Sequence, residues 1–516
     1  MDGGGRSARS TWVVALALVL LTLASLPWLV QDWWDDRPDA ARYLLAARSL
    51  ANGEGYTVMG EPFRLRPPGF SSTLAPLVAW RGFDFLALNV FVSLFAVAAV
   101  VLLFLLLAPR IGTTLAFATA LVVWVNPLLQ SLANQVMSDV PALALALLAL
   151  LAMRWANAAP GFARDAVVAV AIALACYFRT ANLVLLPAFV AERAVRWLFA
   201  DAREPAARFA ARRLAAPSAL FVLLYLPWAL EPSYASQYDS PDLYSYTTAF
   251  LRRDPNDPTA SFVDVGLLLE RLERNATGYA ATFASAGTTR RPSPWAPLAG
   301  AIGVGALLVT LVRRRESPEW FALGTLAVLI GYYVAAVRLL LPVMVLALGA
   351  LVDTLRWLGR KIAPARAVDA VLLGALVVLG IAMLPLEVEH SRGPEHWASL
   401  RATTEHLRAT VPADAPLGGD VGAVYALMLD RPVYSLRPIS RRHRRKELFA
   451  MLEKTPLDAI VARREGPLAP VLAGLARSGR GELVELPEHV VLHFAPAARS
   501  ETESSRDQNV GSGDSS

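Results

Sequence analysis

Phe85-Leu-Ala-Leu-Asn-Val-Phe-Val-Ser-Leu-Phe-Ala-Val-Ala-Ala-Val-Val-Leu-Leu-Phe-Leu-Leu-Leu-Ala108 carries no charged residue. As a helix it is long enough to cross the hydrocarbon of a bilayer, which takes about 20 mostly apolar residues. With Asp84 before it and Pro109-Arg110 after it, this run sets the scale for the rest of the chain. Runs of the same kind lie near 11–30, 111–130, 138–153, 165–178, 181–199, 214–231, 296–312, 319–336, 339–357 and 367–386. Together they predict a polytopic α-helical membrane protein of about 11 transmembrane helices. The composition agrees: of 516 residues, 55% are apolar and only 18% charged, with a mean hydropathy of +0.43. A soluble chain would carry about 25% charged residues. The single cysteine, Cys176, sits within an apolar run, which rules out a disulfide framework or a cysteine-rich metal site.

The first run follows Arg6 and Arg9 and is succeeded by Leu29-Val-Gln-Asp-Trp-Trp34 rather than by a small-residue cleavage site. It therefore reads as a retained helix and not a signal peptide. Runs 165–178 and 181–199 are short and meet at Phe178-Arg179-Thr180, which implies either a tight re-entrant hairpin or two tilted helices.

Arginine and lysine in short loops set orientation. With the N-terminus inside, the cytoplasmic side receives Arg6, Arg9, Arg110, Arg154, Arg164, the cluster from Arg193 to Arg213, Arg313-Arg314-Arg315, Arg356, Arg360, Lys361 and Arg366. The opposite side receives a neutral loop at 129–137, single arginines at 179 and 338, and long loops at 31–83 and 232–295. This places the C-terminal region outside a cell membrane. Beyond 387 the apolar runs end, and short β-like stretches appear at 459–462 and 490–494, with helical stretches at 395–410 and 445–453. The expected organisation is a membrane domain over 1–386, a small soluble extracytoplasmic α/β domain over 387–496 and a disordered tail over 497–516. The basic run Arg441-Arg-His-Arg-Arg-Lys446 suits either an anionic headgroup or a solvated surface.

The first outer loop carries Asp35-Asp36-Arg37-Pro38-Asp39 and then apolar residues at 40, 43, 44, 47, 50 and 51. That spacing predicts an amphipathic helix on the membrane surface, capped by Asp36 and ended by Gly53. Asp39 in its first turn complements the helix dipole, which alone would account for it. Asp139, in Met137-Ser-Asp-Val-Pro-Ala142, opens the fourth run in the same manner. An acid at the mouth of a membrane helix is nevertheless costly unless it meets water or a partner. Arg179 and Arg338 stand at outer turns where a snorkelling anchor would also be at home. Arg64 and Arg66 lie in Pro62-Phe-Arg-Leu-Arg-Pro-Pro-Gly69. Two carboxylates and several arginines at one apolar surface suit an anionic, lipid-linked substrate and a general base.

The pattern resembles the GT-C membrane glycosyltransferases that use polyprenyl-phosphate sugars, the group of the protein O-mannosyltransferases and the lipid A 4-amino-arabinose transferases. The resemblance rests on Asp39 four residues before Tyr43, on Ala47-x-Ser-Leu-Ala-x-Gly-x-Gly-Tyr56 and on Arg66-Pro-Pro-Gly69. It continues with Ser138-Asp-x-Pro141, with Phe178-Arg-Thr180 and with Arg338-Leu-Leu-Leu-Pro342. It covers roughly 11–386. It implies Asp39 as catalytic acid/base, with Asp35 and Asp36 as nearby competitors, and Asp139 in the acceptor or metal environment. It further implies Arg66 and Arg338 on the donor phosphate, with Arg179 and Tyr43 also at the substrate. The implied partners are a polyprenyl-phosphate sugar, a glycan, lipid or protein acceptor, and the bilayer, with no nucleic acid. No cofactor is firmly implied, although the acidic cluster could hold a divalent cation. The absence of a nucleotide-binding glycine fingerprint or P-loop fits a lipid-linked donor. A transporter or flippase of a lipid-linked or anionic substrate is the competing class. Such proteins usually hold broken or polar helices near the bilayer midplane, whereas the charges here gather at one surface.

Overall fold

The computed structural model describes residues 3–159, 161–199, 210–230, 236–239, 244–285, 294–385, 393–436 and 455–494, with Leu448 and Leu452. The chain divides into two compact units. The first comprises Met1–Asp32, Arg64–Pro232 and Ser245–Ser391; the second comprises Trp33–Phe63, Ser233–Tyr244 and Arg392–Ser516.

The first unit is helical throughout. Its elements are α1 (Gly3–Leu29), α3 (Gly69–Arg81), α4 (Phe85–Ile111), α5 (Thr113–Trp124), α6 (Pro127–Ala133), α7 (Asp139–Ala158), α8 (Phe162–Phe178), α9 (Leu185–Leu198) and α10 (Ala210–Ala229). After these come α11 (Tyr246–Leu251), α12 (Val265–Ala284), α13 (Ala296–Arg314), α14 (Ser317–Gly331), α15 (Leu341–Gly359) and α16 (Ala365–Met383). Each of the apolar runs is thus helical over most of its described length, the run at 319–336 leaving the helix after Gly331. Six described helices are long and apolar enough to cross a membrane, or up to seven if α5 and α6, bent by 60° at their junction, form one span. Asn126 makes that bend: its side chain accepts from the Leu128 and Leu129 N–H groups while Pro127 opens the next helix. Large apolar side chains such as Leu94, Leu148, Val170, Leu308 and Val371 point outward, as helices immersed in lipid require.

One end of this helical unit is a lattice of ion pairs. Arg110, at the end of α4, reaches Glu319 at 2.7 Å and also Glu316. Arg193 of α9 meets Asp165 of α8 at 2.6 Å, and Arg314 of α13 meets Asp353 of α15 at 2.6 Å. Arg356 of α15 meets Asp369 of α16 at 2.8 Å. Arg154 of α7 donates instead to the carbonyls of Leu105 and Leu106, the first of which has no helical donor because Pro109 lacks an N–H. These are the arginines that the loop charges assign to the cytoplasm.

The second unit holds α2 (Pro38–Ala51), a short antiparallel pair β1 (Thr57–Val58) and β2 (Glu61–Pro62), and a five-stranded sheet. The sheet strands are β3 (Leu417–Gly419), β4 (Tyr434–Ser435), β5 (Ala459–Arg463), β6 (Gly481–Glu485) and β7 (His489–Phe494), in the order β4-β3-β5-β7-β6. β3 runs parallel to β4 and β5, while β7 is antiparallel to β5 and β6. Alternation along β7 sends Val490 and Leu492 to a core with Ile460, Leu472 and Leu475, the last two from α19 (Ala469–Arg477). His489 and His493 face α17 (Pro394–Thr410) instead. The helix expected at 395–410 is therefore present, and the strands at 459–462 and 490–494 become β5 and β7. The helix at 445–453, the basic run 441–446 and the tail 497–516 lie largely or wholly outside the described residues.

The first-loop helix differs from expectation in its surroundings. α2 has the predicted bounds, but Ala40, Ala41, Arg42, Tyr43, Leu44, Leu45, Ala46, Ala47 and Ser49 are all buried. The face expected to rest on the membrane is covered by protein, α18 (Gly422–Leu429) being one neighbour. Nor does Asp36 cap it. The cap position is Arg37, in extended conformation, with no side-chain cap.

Candidate functional site

In the second unit, α2 presents its first-turn acid beside Arg42. The Arg42 guanidinium is spent mainly on Asp239, with Nε at 2.6 Å from Oδ2 and Nη2 at 2.9 Å from Oδ1, a two-pronged bond in which both side chains are buried. Its remaining Nη1 stands 3.3 Å from Asp39 Oδ1. Asp239 is held in turn by its own segment, whose Ser236 hydroxyl accepts from the Asp239 N–H at 2.9 Å. The neighbouring Tyr238 carbonyl accepts from Ser435 N–H at the sheet edge. Tyr43, the next residue on α2, is buried.

The three first-loop acids are used differently. Asp35 is 2% exposed and pairs with Arg37 Nε at 3.0 Å. Asp36, also 2% exposed, lies 3.1 Å from His396 Nε2. Asp39 keeps 15% of its side chain exposed and has the longest of the three contacts. These contacts turn the three acids to separate partners. Among the described residues, no three His, Cys, Asp or Glu side chains form a group able to hold a metal ion.

In the first unit, Asp139 begins α7 with its side chain 3% exposed. Arg179 Nη1 lies 2.9 Å from one of its oxygens, and Arg338 Nη1 lies 3.9 Å from the other. Arg179 reaches this point because α8 ends there: the chain turns extended at Arg179 and continues as a 3-10 turn over Thr180–Val184. Asn182 pins the turn by donating to the carbonyls of Ala175 and Ala142, joining α8 to α7. Arg338 sits on a second 3-10 turn, Val337–Leu340, ahead of α15. The preceding end of α14 is tied down by buried Asn275 of α12, which donates to the Ile330 and Tyr332 carbonyls at 2.9 and 2.6 Å.

Arg66 donates to the Tyr246 hydroxyl at 2.6 Å. Arg66 and Arg179 are both within electrostatic range of Tyr332, which places them in one neighbourhood. The Pro-Pro-Gly that follows Arg66 has a steric reason. A Cβ on Gly69 would stand 2.6 Å from the Tyr177 carbonyl oxygen, so only glycine lets α3 start this close to the end of α8.

The structure therefore brings Asp139, Arg179 and Arg338 together and sets Arg66 nearby, all in the first unit, while Asp39 and Tyr43 belong to the second. Sequence reading did not reach Asp239, Asn182, Asn275 or His396. For Asn182, a lone amide in an apolar run three residues after Arg179 was an available signal. Asp239 has none, because its partner is 197 residues away.

No family model matches the chain, and no curated protein does. Solved structures do. ArnT from Cupriavidus metallidurans bound to undecaprenyl phosphate aligns with a TM-score of 0.56 over 96% of this chain and 99% of that one, at 13% identity. Its apo form aligns with a TM-score of 0.57. The archaeal oligosaccharyltransferase AglB from Archaeoglobus fulgidus, in complex with an inhibitory peptide and a dolichol-phosphate, aligns with a TM-score of 0.58 at 13% identity, over 88% of this chain and 69% of that one. At such identity the likeness speaks for architecture, and it agrees with the resemblance carried by the motifs: the chain has the GT-C fold.

Proposed function

We propose that this protein transfers a hexosyl or pentosyl unit from a polyprenyl-phosphate donor to an acceptor on the extracytoplasmic face of a cell membrane. Eleven crossings, with the N-terminus inside and the second unit outside, accompany this reading, and the segregation of loop arginines supports it. The observation that carries it is the charge balance around Asp139. A single buried carboxylate stands between Arg179 and Arg338, with Arg66 close by. Arginines thus gather about one buried carboxylate at the end of an apolar bundle, where an anionic phosphate would be bound strongly.

In this reaction the acceptor hydroxyl oxygen forms a bond to the anomeric carbon as the bond from that carbon to the phosphate oxygen breaks. One displacement inverts the centre. The electron pair leaves with the polyprenyl phosphate, and Arg66 and Arg338, assisted by Arg179, stabilise the growing charge. A phosphate leaves without protonation, so no strong general acid is needed there. Asp39 takes the hydroxyl proton. It suits that role better than Asp35 or Asp36 because its side chain is more exposed than theirs and its partner Arg42 is spent mainly on Asp239.

Asp39→Asn is the direct test. Sugar transfer in native membranes, followed by mass spectrometry of surface glycans and glycolipids with and without the protein, should vanish in the variant while insertion and thermal midpoint stay at wild-type values. Full transfer by the variant would remove Asp39 as the base. An unchanged glycan profile on deletion of the protein would remove the reaction itself.

A further inference from the structure

His396, in the first turn of α17, stands between two carboxylates from distant parts of the second unit. Its Nε2 is 3.1 Å from Asp36 Oδ1, and its Nδ1 is bonded to Glu488, in the turn between β6 and β7. The histidine side chain is 11% exposed and Asp36 2%, against 43% for Glu488. Beside this link Trp34 meets Trp397 edge to face at 6.2 Å between ring centres. An aromatic contact and a hydrogen-bonded bridge thus fasten residues 34–36 to α17, and that segment leads within three residues to Asp39.

We infer that His396 is a positioning residue for the proposed base: protonated, it clamps Asp36 and Glu488 together and so fixes where α2 begins. The inference rests on the reading of Asp39 as base, and it assigns the C-terminal fold a task in that reaction. An imidazolium donates from both ring nitrogens, whereas a neutral imidazole donates from one only. Deprotonation therefore costs the clamp one of its two bonds, and the hold on Asp36 loosens as pH rises.

Several other groups share this environment. His489 of β7 lies with its ring centre 6.1 Å from that of His396. Asp420 pairs with Arg463 at 3.1 Å and accepts from Tyr425 at 3.2 Å. Arg463, Arg464 and Glu465 line a cleft of about 670 Å³ onto which His396 and Glu488 open, and Glu395 precedes His396 on its own helix. His489 is neutral at pH 7, burial holding it at about 4. It donates no competing charge, and His396 is the histidine left to answer pH here.

Hydrogen exchange and transfer test the clamp on separate grounds, both with the full chain. In detergent-solubilised protein, amides of residues 34–42 should be better protected in wild type than in His396→Gln near pH 6, and the gap should close by about pH 9. In native membranes, transfer by His396→Gln should fall by about ten- to a hundredfold near pH 6, the scale of a small misplacement of a catalytic group. Its activity should also lose the alkaline decline that the clamp predicts for wild type. Asp36→Asn should give the same profile, and the double variant should add nothing further. Equal protection in wild type and His396→Gln at both pH values would overturn the inference, as would parallel pH profiles. Loss of transfer in Asp39→Asn with exchange unchanged keeps the two questions apart. Retention of transfer in that variant would sink the base assignment while the exchange result still judged the clamp.

Discussion

The two ends of the helical unit handle charge in different ways. At one end the arginines meet acids from several helices: Arg110 with Glu316 and Glu319, Arg193 with Asp165, Arg313 and Arg314 with Asp353, Arg356 and Arg360 with Asp369. At the other, Arg179 and Arg338 share Asp139, and Arg66 rests on a tyrosine hydroxyl. Charges at membrane helix ends are tolerated when matched, and the first end is built to that rule. The second gathers its arginines about the one carboxylate that opens α7, and a cluster of this sort is where an anionic ligand is expected to bind.

The largest effect that would break this contrast is on the matched side. Arg110 is almost wholly buried, with a side-chain exposure of 7%, and Glu319 opposite it is at 2%. Arg110→Gln leaves a buried carboxylate without its cation, which costs about 3–5 kcal/mol. The thermal midpoint in detergent should drop sharply, while transfer per folded molecule stays near wild type. A normal midpoint would show that the lattice is ornamental.

Next comes the Asp139 side, where the order reverses. Arg338 is 31% exposed and stands at 3.9 Å from Asp139, so its removal leaves the acid paired with Arg179 at 2.9 Å. Arg338→Gln should therefore barely move the midpoint, yet lower transfer by about 10² to 10³, the size of losing one donor to a developing charge. Arg179→Gln separates the two roles, because it strips Asp139 of its near partner and should harm stability and transfer together. If Arg338→Gln unfolds the protein and leaves specific transfer intact, the contrast between the ends is wrong.

How much of this could be read from the chain follows the same division. The bilayer imposes a length and a polarity on every helix, so each apolar run could be located from composition alone. The arginines at 179 and 338 stood out because an apolar background makes any charge conspicuous. What tied them in place did not. Asn275 and Asp239 act over dozens to hundreds of residues, and nothing local distinguishes a polar residue that will meet a distant carbonyl or guanidinium from one that meets water. α2 shows a further limit. Its helical periodicity was legible, but a helix lying on lipid and one covered by protein share the same apolar face. The covering residues of α18 come more than 370 positions later, in a region whose short strands β3 and β4 have too few residues to show an alternation.

A smaller effect probes how closely the Asp139 end is built. Gly69→Ala sets a methyl against the Tyr177 backbone, and backbone cannot step aside as a flexible side chain would. The cost should be about 1–3 kcal/mol, the usual range for overpacking. Because α3 starts three residues after Arg66, transfer should fall as well. The same substitution at Gly161, where a Cβ meets nothing within 4 Å, should do neither, and that pair of midpoints and activities is the measurement.

The second unit offers the gentlest test of whether matching is what buried charge requires. His489 is 1% exposed, and its Nδ1 faces the Thr403 hydroxyl at 3.1 Å rather than a carboxylate. Burial, against the opposing pull of Asp420 and with a smaller push from His396, takes it from the ordinary 6.5 down to about 4. Between those two values the unfolded chain binds a proton that the folded chain refuses, so stability rises with pH across the window and is lost as pH falls through it. By pH 5.5 the loss should be roughly 1 kcal/mol. Because the ring belongs to β7, its share of the decline should appear in the sheet. Unfolding followed by exchange of the β5 and β7 amides near pH 7 and pH 5.5 should show it, and His489→Asn should flatten it. A sheet equally stable at both values would mean that the buried ring finds a compensating charge, and that matching extends to the second unit after all.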